Sequence, residues 1–311
     1  EKNNQQIKID VGKKIHDRVS NFMLRRTKED KLSGLPKKNI YPDLNECNIN
    51  LKPTMDGMQL KLYDKVIDKI IAIRNQHKFN NPPYDLRELI LPSLIHLRQI
   101  SLHPNLYSYH SLNPLSFNRD IALKFINESA KLNTLCKILN AVKSRNEKII
   151  IFIINKMLQF DLAIALRAIY NLSNVPIING DTNAISGKGF DRKSIIDEFQ
   201  NKDGFGIIIM SPIAAGVGLN VVGVNNIVHL ERHWNPAKEA QATDRVYRIG
   251  QVRDVNIYIP IVLHPNKVSF EANLDRLLRQ KIVLKDAVIA PEEVKIEDFD
   301  FDILCVTKNR F

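Results

Sequence analysis

Two arginines and a glutamine within one short run could act on the phosphates of a nucleotide. The run QATDRVYRIGQ covers residues 241–251 and places Gln241, Arg245 and Arg248 at positions i, i+4 and i+7. On an α-helix these positions share one face. Two guanidinium groups on a rigid element can stabilise the charge that develops as a phosphoryl group leaves. A lone arginine pair at this spacing equally fits a solvated basic helix face, so the surroundings must decide between the two.

A helix over residues 236–249 is predicted to carry this run. Asn235 can cap its first turn, Pro236 suits the first helical position, and Gly250 provides the stop. A separate apolar stripe would anchor the helix to a core, and it consists of Ala242, Val246 and Ile249.

A glycine-containing loop precedes that helix by one predicted strand. Residues 211–220 read SPIAAGVGLN, in which Gly216 and Gly218 would let backbone amides approach a phosphate closely. The alternative is that the loop is an ordinary turn that binds no ligand. Because the loop and the arginine helix each follow a buried strand, both are expected at one edge of the sheet.

The fold class follows from an alternation that begins near Ile149. Short apolar runs predict strands at residues 149–154, 175–178, 205–210, 226–230 and 255–259. Amphipathic stretches between them predict helices at residues 156–170, 192–199 and 236–249. Buried strands that alternate with helices predict an α/β fold with a doubly wound parallel sheet and helices on both faces.

The rest of the chain suggests a division into three segments. Residues 1–130 show helical periodicity, with one strand expected at 47–51, and predict a mainly helical segment. Residues 131–265 hold the alternating pattern. Residues 266–311 hold a helix that starts near Ser269 and an acidic tail.

Composition narrows the function classes. A formal net charge of +11 over 311 residues favours a polyanionic partner, above all nucleic acid. The three widely spaced cysteines form no CxxC pair, which argues against a disulfide framework and for a reducing compartment. No apolar run approaches the roughly 20 residues of a membrane span, so no membrane partner is expected. The expected location is the cytoplasm near the nucleoid in a prokaryote, or the nucleus in a eukaryote.

The order of these motifs resembles the second RecA-like lobe of the Swi/Snf family of helicase-like DNA translocases. The likeness rests on the strand at 149–152, the loop at 211–220, Trp234-Asn235-Pro236 and the run at 241–251. Further matching segments extend it over roughly residues 24–263: LRRTK at 24–28, LPKK at 35–38, LRQISLHP at 97–104, SAKL at 129–132, and NGDT at 179–182 followed by Arg192 and Phe199.

The resemblance implies a role for each matching position. Arg245 and Arg248 would be arginine fingers that reach the γ-phosphate of ATP, and Gln241 would belong to the same catalytic set. The loop would face the cofactor through Gly216, Gly218 and Asn220. Contacts to the DNA backbone would come from Ser211, Asn155, Lys156 and Arg192. Trp234 is expected to pack as a structural residue.

A complete motor also needs a phosphate loop, GxxxxGK[ST], and an acidic metal-binding motif. Gly187-Lys188-Gly189 has glycine where Ser or Thr must stand, and the DEFQ at residues 197–200 has helical periodicity. His229 and His233 lack the HExxH spacing, so no metal ligand is predicted. We therefore expect ATP and Mg²⁺ to be held mainly by an N-terminal lobe outside this chain, which begins at Glu1 and suggests a longer parent protein.

The leading hypothesis is the C-terminal motor lobe of an ATP-dependent double-stranded DNA translocase, inactive by itself. One alternative is a non-catalytic lobe that grips DNA or a partner protein. The other is a strand-separating helicase. The scarcity of inserts favours a prokaryotic member, acting in a defence or transcription system.

Overall fold

In the part of the chain that the structure describes, six parallel strands form one central sheet. The computed structural model describes residues 35–41, 49–80, 86–108, 118–182, 191–214, 220–285, 293–295 and 298–299, with the isolated Lys14 and Cys305. The strands are β1 (Lys38–Tyr41), β2 (Lys148–Phe152), β3 (Ile177–Ile178), β4 (Gly206–Met210), β5 (Asn226–His229) and β6 (Val255–Tyr258). Their spatial order is β1-β6-β5-β2-β4-β3.

The strand order creates a switch point beside β2. The chain runs along β4 on one side of β2 and then continues as β5 on the other side. In open parallel sheets such a reversal opens a crevice beyond the carboxyl ends of the strands, where ligands bind. The loops after β2, β4 and β5 therefore define the region in which a site is expected.

Helices flank the sheet on both faces, so the predicted α/β fold is confirmed. Their bounds are α1 (Gly57–Asn80), α2 (Leu86–Leu102), α3 (Asn105–Ser108), α4 (Arg119–Asn127), α5 (Ala130–Ser144), α6 (Lys156–Tyr170), α7 (Arg192–Asn201), α8 (Pro236–Thr243) and α9 (Phe270–Lys285). Within the described ranges, none of these helices combines the length and the apolar character that crossing a membrane would require.

The alternating side chains of β2 enter two separate cores. Ile149 and Ile151 pack with α4, α5 and α6 on one face, whereas Ile150 and Phe152 pack with α7 and α8 on the other. A strand buried on both faces has no polar side, which is why residues 149–152, IIIF, are all apolar after the half-buried Lys148.

A third core joins the first and last segments of the chain. It is formed by α1, α2 and α9, with Tyr63, Leu97 and Phe270 among its fully buried side chains. The backbone amide of Phe270 donates to the Tyr63 hydroxyl at 2.7 Å. Burial raises the pKa of Tyr63, so the hydroxyl stays protonated and keeps this acceptor role. The helical segment and α9 are therefore one packing unit.

The strand expected at residues 47–51 is not formed by its described part, residues 49–51. Instead, the carbonyls of Leu51 and Pro53 accept the amides of Ile261 and Leu263, each at 2.8 Å. The strand that the sequence did not predict is β1, which pairs with β6 in register from Lys38 to Tyr41. Its four half-buried residues, KNIY, show no apolar alternation, because an edge strand is only partly covered.

Candidate functional site

The two arginines of the run lie in turns beyond α8 rather than on it. The helix ends at Thr243, so the prediction of one helix to residue 249 is wrong, and Gln241 does not share a helical face with Arg245 and Arg248. The amides of Arg245 and Val246 donate to the carbonyls three residues earlier, at 3.3 and 3.0 Å. These bonds are typical of tight turns, and one helix-type bond, from the amide of Tyr247 to the carbonyl of Thr243 at 3.1 Å, accompanies them without continuing α8.

Competing partners for the backbone carbonyls explain why the helix stops. The carbonyl of Arg245, which a longer helix would offer to residue 249, accepts the amide of Val221 at 3.1 Å. The carbonyl of Val246 accepts the side-chain amide of Gln251 at 3.5 Å. Gly250 has φ +97°, a conformation that other residues rarely adopt, and it turns the chain away.

The turn over residues 244–250 is held by the core beneath it. Ala242 and Val246 are fully buried as predicted, but Ile249 is 69% exposed, and Tyr247 is buried instead. Gln251 is also buried, and its side-chain amide donates to the carbonyl of Val224 at 2.8 Å. Gln251, the last residue of the motif, therefore stabilises the turn through its side-chain hydrogen bonds. Arg245 and Arg248 are half-buried.

The loop after β4 runs from the sheet edge to that turn. The amide of Ser211 donates to the carbonyl of Ile178 at 2.8 Å, which fixes the start of the loop. Its end is fixed by the bond from Val221 to Arg245. Asn220 is exposed, and its carbonyl accepts from the Gln200 side chain at 3.4 Å. Gly216 and Gly218 lie outside the described residues, so their predicted role stays a prediction.

The residues predicted to contact DNA converge at the carboxyl ends of β2, β3 and β4. Asn155 caps α6, its side-chain oxygen accepting the amide of Leu158 at 2.9 Å. The exposed Lys156 reaches Asp181 at 2.7 Å. Arg192 donates to the carbonyls of Thr182 and Asn179, at 3.0 and 3.1 Å. Of the four predicted contacts, Lys156 is the exposed cation, while Asn155 and Arg192 also shape the turns around it and Ser211 is buried.

Glu231 is a residue that sequence reasoning missed. Its carboxylate accepts the amides of Ile154 and Asn155 at 2.7 and 2.8 Å, so it fixes the turn between β2 and α6. Arg98 of α2 bridges to the same carboxylate at 2.9 Å. The turn that presents Lys156 is thus tied to the third core. The only signal in the sequence was a Glu-Arg pair directly after a buried strand.

Buried ion pairs hold the end of β5 in place. Arg232 bridges to Glu239 at 2.8 Å and to Asp275 at 2.6 Å. Burial alone would raise the pKa of Glu239, but the neighbouring Arg232 guanidinium outweighs it and lowers the pKa. Lys131 forms a second buried pair with Glu271 and donates to the carbonyl of Leu230 at 2.8 Å. Burial lowers the pKa of Lys131 and raises that of Glu271.

Lys131 could have been recognised from its position on α5. It stands four residues before Leu135 and seven before Ile138, on the helix face that is otherwise apolar and buried. A lysine at such a position indicates a buried ion pair or a functional group. Its partner Glu271, 140 residues away, could not have been recognised.

The two histidines near the end of β5 have structural partners. The Nε2 atom of His229 lies 2.8 Å from the Thr243 hydroxyl, and the ring stacks on Phe152. His233 accepts the amide of Asn235 at 2.9 Å through Nδ1. Among the described residues, no group of three or more His, Cys, Asp or Glu side chains could hold a metal ion.

Two further sequence interpretations concern Trp234 and residues 197–200. Trp234 packs against Phe270 and Phe299, with ring centroids 6.1 and 5.3 Å apart, in agreement with a structural role. Residues 197–200 lie within α7, as their periodicity predicted. Gly187-Lys188-Gly189 lies outside the described residues.

Comparison with known proteins finds similarity to helicases and related proteins. The helicase conserved C-terminal domain matches residues 130–250. The Zorya protein ZorD of Escherichia coli O139:H28 is 37% identical over 279 residues, 89% of this chain and 24% of that protein. The putative ATP-dependent helicase/translocase YwqA of Bacillus subtilis is 30% identical over 87% of this chain and 26% of its own length.

A solved structure is also similar to this chain. The Sulfolobus solfataricus SWI2/SNF2 ATPase core in complex with dsDNA aligns with a TM-score of 0.59 and 27% identity. The alignment covers 88% of this chain and 51% of that one. Among the curated relatives, the chain spans about a quarter of the length of the two proteins named above.

Proposed function

The chain belongs to the Swi2/Snf2 family of helicase-like ATPases as a C-terminal RecA-like lobe, and from that premise we propose that it is half of a double-stranded DNA translocase. In this proposal ATP and Mg²⁺ are held mainly by an N-terminal lobe of the same protein. Residues 131–265 are the motor lobe, with residues 1–130 as the linking segment and residues 266–311 as a C-terminal extension.

The arginine turn is the observation that carries this proposal. Arg245 and Arg248 lie in a turn whose backbone is hydrogen-bonded to α8 and to Val221, and both are half-buried. A rigid turn that carries two half-buried arginines fits the oxygens of a triphosphate, where such cations stabilise phosphoryl transfer. ATP supplies the phosphoryl group, and the arginines offer it positive charge from across the interface between the lobes. Gln241, exposed on the last turns of α8, would contact the same nucleotide.

The DNA contact is assigned to the carboxyl edge of β2, β3 and β4. Lys156 is exposed there, and Glu231 holds its turn through two backbone amides. Arg192 and Asn155 would act from the same edge, together with Ser211 at the start of the loop. The loop after β4 would connect this DNA-contacting edge to the nucleotide through Gly216, Gly218 and Asn220. Contacts of this kind to a phosphate backbone are insensitive to sequence and weaken with salt.

The experiment that tests the proposal is Arg248→Ala in the full-length protein. Loss of an arginine finger should lower DNA-stimulated ATP turnover by roughly 10³-fold. ATP binding should change little, because the other lobe holds most of the nucleotide. Lys238→Ala is the matched control, since Lys238 is an exposed cation on α8 and its loss changes the net charge equally. Wild-type turnover in Arg248→Ala would refute the arginine-finger role.

Two further measurements separate the remaining alternatives. A duplex translocase displaces a third strand from a triplex without opening the duplex, whereas a strand-separating helicase releases a labelled strand from the duplex itself. We expect displacement of the third strand only. The 311-residue chain alone should hydrolyse no measurable ATP and bind duplex DNA weakly, while turnover by this chain would show that it contains a complete site.

The biological setting rests on the relatives alone. The proteins at 37% and 30% identity are both bacterial, which supports the expectation of a prokaryotic member. Its assignment to defence or transcription stays a prediction.

A further inference from the structure

A buried hydrogen bond connects the central sheet to the start of the arginine turn. His229, the last residue of β5, and Thr243, the last residue of α8, are both buried. Their side chains meet with Nε2 and Oγ1 2.8 Å apart. Thr243 stands two residues before Arg245 and five before Arg248. This side-chain bond therefore joins the sheet to the helix end from which the arginine turn begins.

Thr243 also holds the backbone of the turn. Its carbonyl accepts the amide of Val246 at 3.0 Å and that of Tyr247 at 3.1 Å. Val246 and Tyr247 lie between the two arginines in sequence. A shift of Thr243 would therefore move the backbone from which both guanidiniums extend.

His229 is a rigid support for that residue. It belongs to a strand that pairs with β2 on one side and β6 on the other. Its ring stacks on Phe152, with centroids 5.1 Å apart and planes 18° apart. Burial lowers its pKa to about 4, so the ring is neutral at physiological pH. A ring that is neutral, stacked and buried offers one fixed geometry.

The tautomer follows from the surroundings of the second ring nitrogen. Among the described residues Nδ1 of His229 is buried and has no hydrogen-bond partner. An orphaned acceptor is tolerated better than an orphaned N–H donor. The proton is therefore assigned to Nε2, which donates to the Thr243 hydroxyl oxygen.

From these contacts we propose that His229 and Thr243 are a positioning pair for the arginine fingers. The inference rests on the proposed function, because it assumes that Arg245 and Arg248 act on ATP. A catalytic group displaced by about 1 Å can cost on the order of 10²-fold in rate. Both side chains are buried and neutral, so we expect their loss to affect the phosphoryl-transfer step and not ATP binding.

The test is Thr243→Val in the full-length protein, which removes the hydroxyl and preserves the branched shape. We expect kcat for DNA-stimulated ATP hydrolysis to fall by roughly 10- to 100-fold. The KM for ATP and the Kd for duplex DNA should stay within about twofold of wild type, since neither depends on the arginine position. Thr243→Ser keeps the hydroxyl and should restore kcat to within about threefold of wild type.

A matched control separates positioning from general stability. Ser101→Ala also removes a buried hydroxyl bond, from Ser101 to the carbonyl of Leu97 at 2.8 Å, but in α2. It should lower the melting temperature without changing kcat. If Thr243→Val does not fold, His229→Phe provides the second test, since it keeps the stacked ring and removes Nε2.

The outcomes distinguish the two levels of the proposal. A wild-type kcat in Thr243→Val together with an inactive Arg248→Ala would refute the positioning pair and leave the arginine fingers standing. Wild-type turnover in Arg248→Ala would refute the proposed function itself. An equal fall in kcat for Ser101→Ala and Thr243→Val would show a stability effect and would also overturn the inference.

Discussion

Lys131→Met tests whether buried ion pairs hold the end of β5. The Lys131 side chain is fully buried and pairs with Glu271, whose other carboxylate oxygen accepts the amide of Val262 at 2.7 Å. Lys131 also donates to the carbonyl of Leu230, directly before Glu231. Methionine has nearly the same length and fills the same space, so the change removes the charge and the donor with little change in packing.

The expected loss of unfolding free energy at pH 7.5 is about 4 kcal/mol. Removal of one partner of a buried pair leaves an uncompensated charge, which typically costs about 3–5 kcal/mol. The double variant Lys131→Met, Glu271→Gln removes that charge as well. It should recover about half of the loss, because the carbonyl of Leu230 still lacks its donor, at a cost of about 1–3 kcal/mol.

The assay is urea denaturation of the 311-residue chain at pH 7.5 and pH 5.0. Burial raises the pKa of Glu271, and the loss of Lys131 removes the charge that opposed this rise. A group whose pKa is raised in the folded state contributes stability at low pH and loses it as the pH rises. The deficit of Lys131→Met should therefore be smaller at pH 5.0 than at pH 7.5.

An exposed lysine on the same helix is the control. Lys137→Met should change the stability by less than about 0.5 kcal/mol, since surface substitutions rarely do more. A loss below about 1 kcal/mol for Lys131→Met at pH 7.5, or an equal deficit at both pH values, would refute the reasoning.

Two further predictions follow from buried groups elsewhere in the molecule. Burial lowers the pKa values of His103 and His229 from 6.5 to about 4, so the stability that they contribute is complete above pH 6.5 and lost as the pH falls towards 4. Their combined loss between pH 7.5 and pH 5 should be about 4 kcal/mol by urea denaturation, and His229→Phe should remove about half of this dependence. Phe299→Ala should uncover one face of Trp234, the only tryptophan of the chain, and shift its fluorescence emission to the red. An unchanged emission maximum would show that Phe299 does not pack against Trp234 in solution.

The fold was accessible from the sequence because local patterns determine it. Residues 149–152 of β2, IIIF, are buried on both faces and therefore all apolar. Helix α6 begins and ends at the predicted residues, 156 and 170. Asn235 caps α8 as predicted, whereas the capping of α6 by Asn155 was not predicted. One exception is β1, whose residues carry no apolar pattern because its position beside β6 depends on the rest of the sheet.

The residues that build the site followed from the sequence, but their geometry did not. Motif order alone placed Arg245 and Arg248 after β5, and it placed Lys156 at the end of β2. Their presentation depends on long-range contacts: Val221 takes the carbonyl that would have extended α8, Glu231 holds the turn before Lys156, and His229 anchors Thr243. Hydrogen bonds between distant segments compete with local helix bonds for the same backbone groups. Which of these hydrogen bonds forms is decided only when the folded sheet brings the distant segments together.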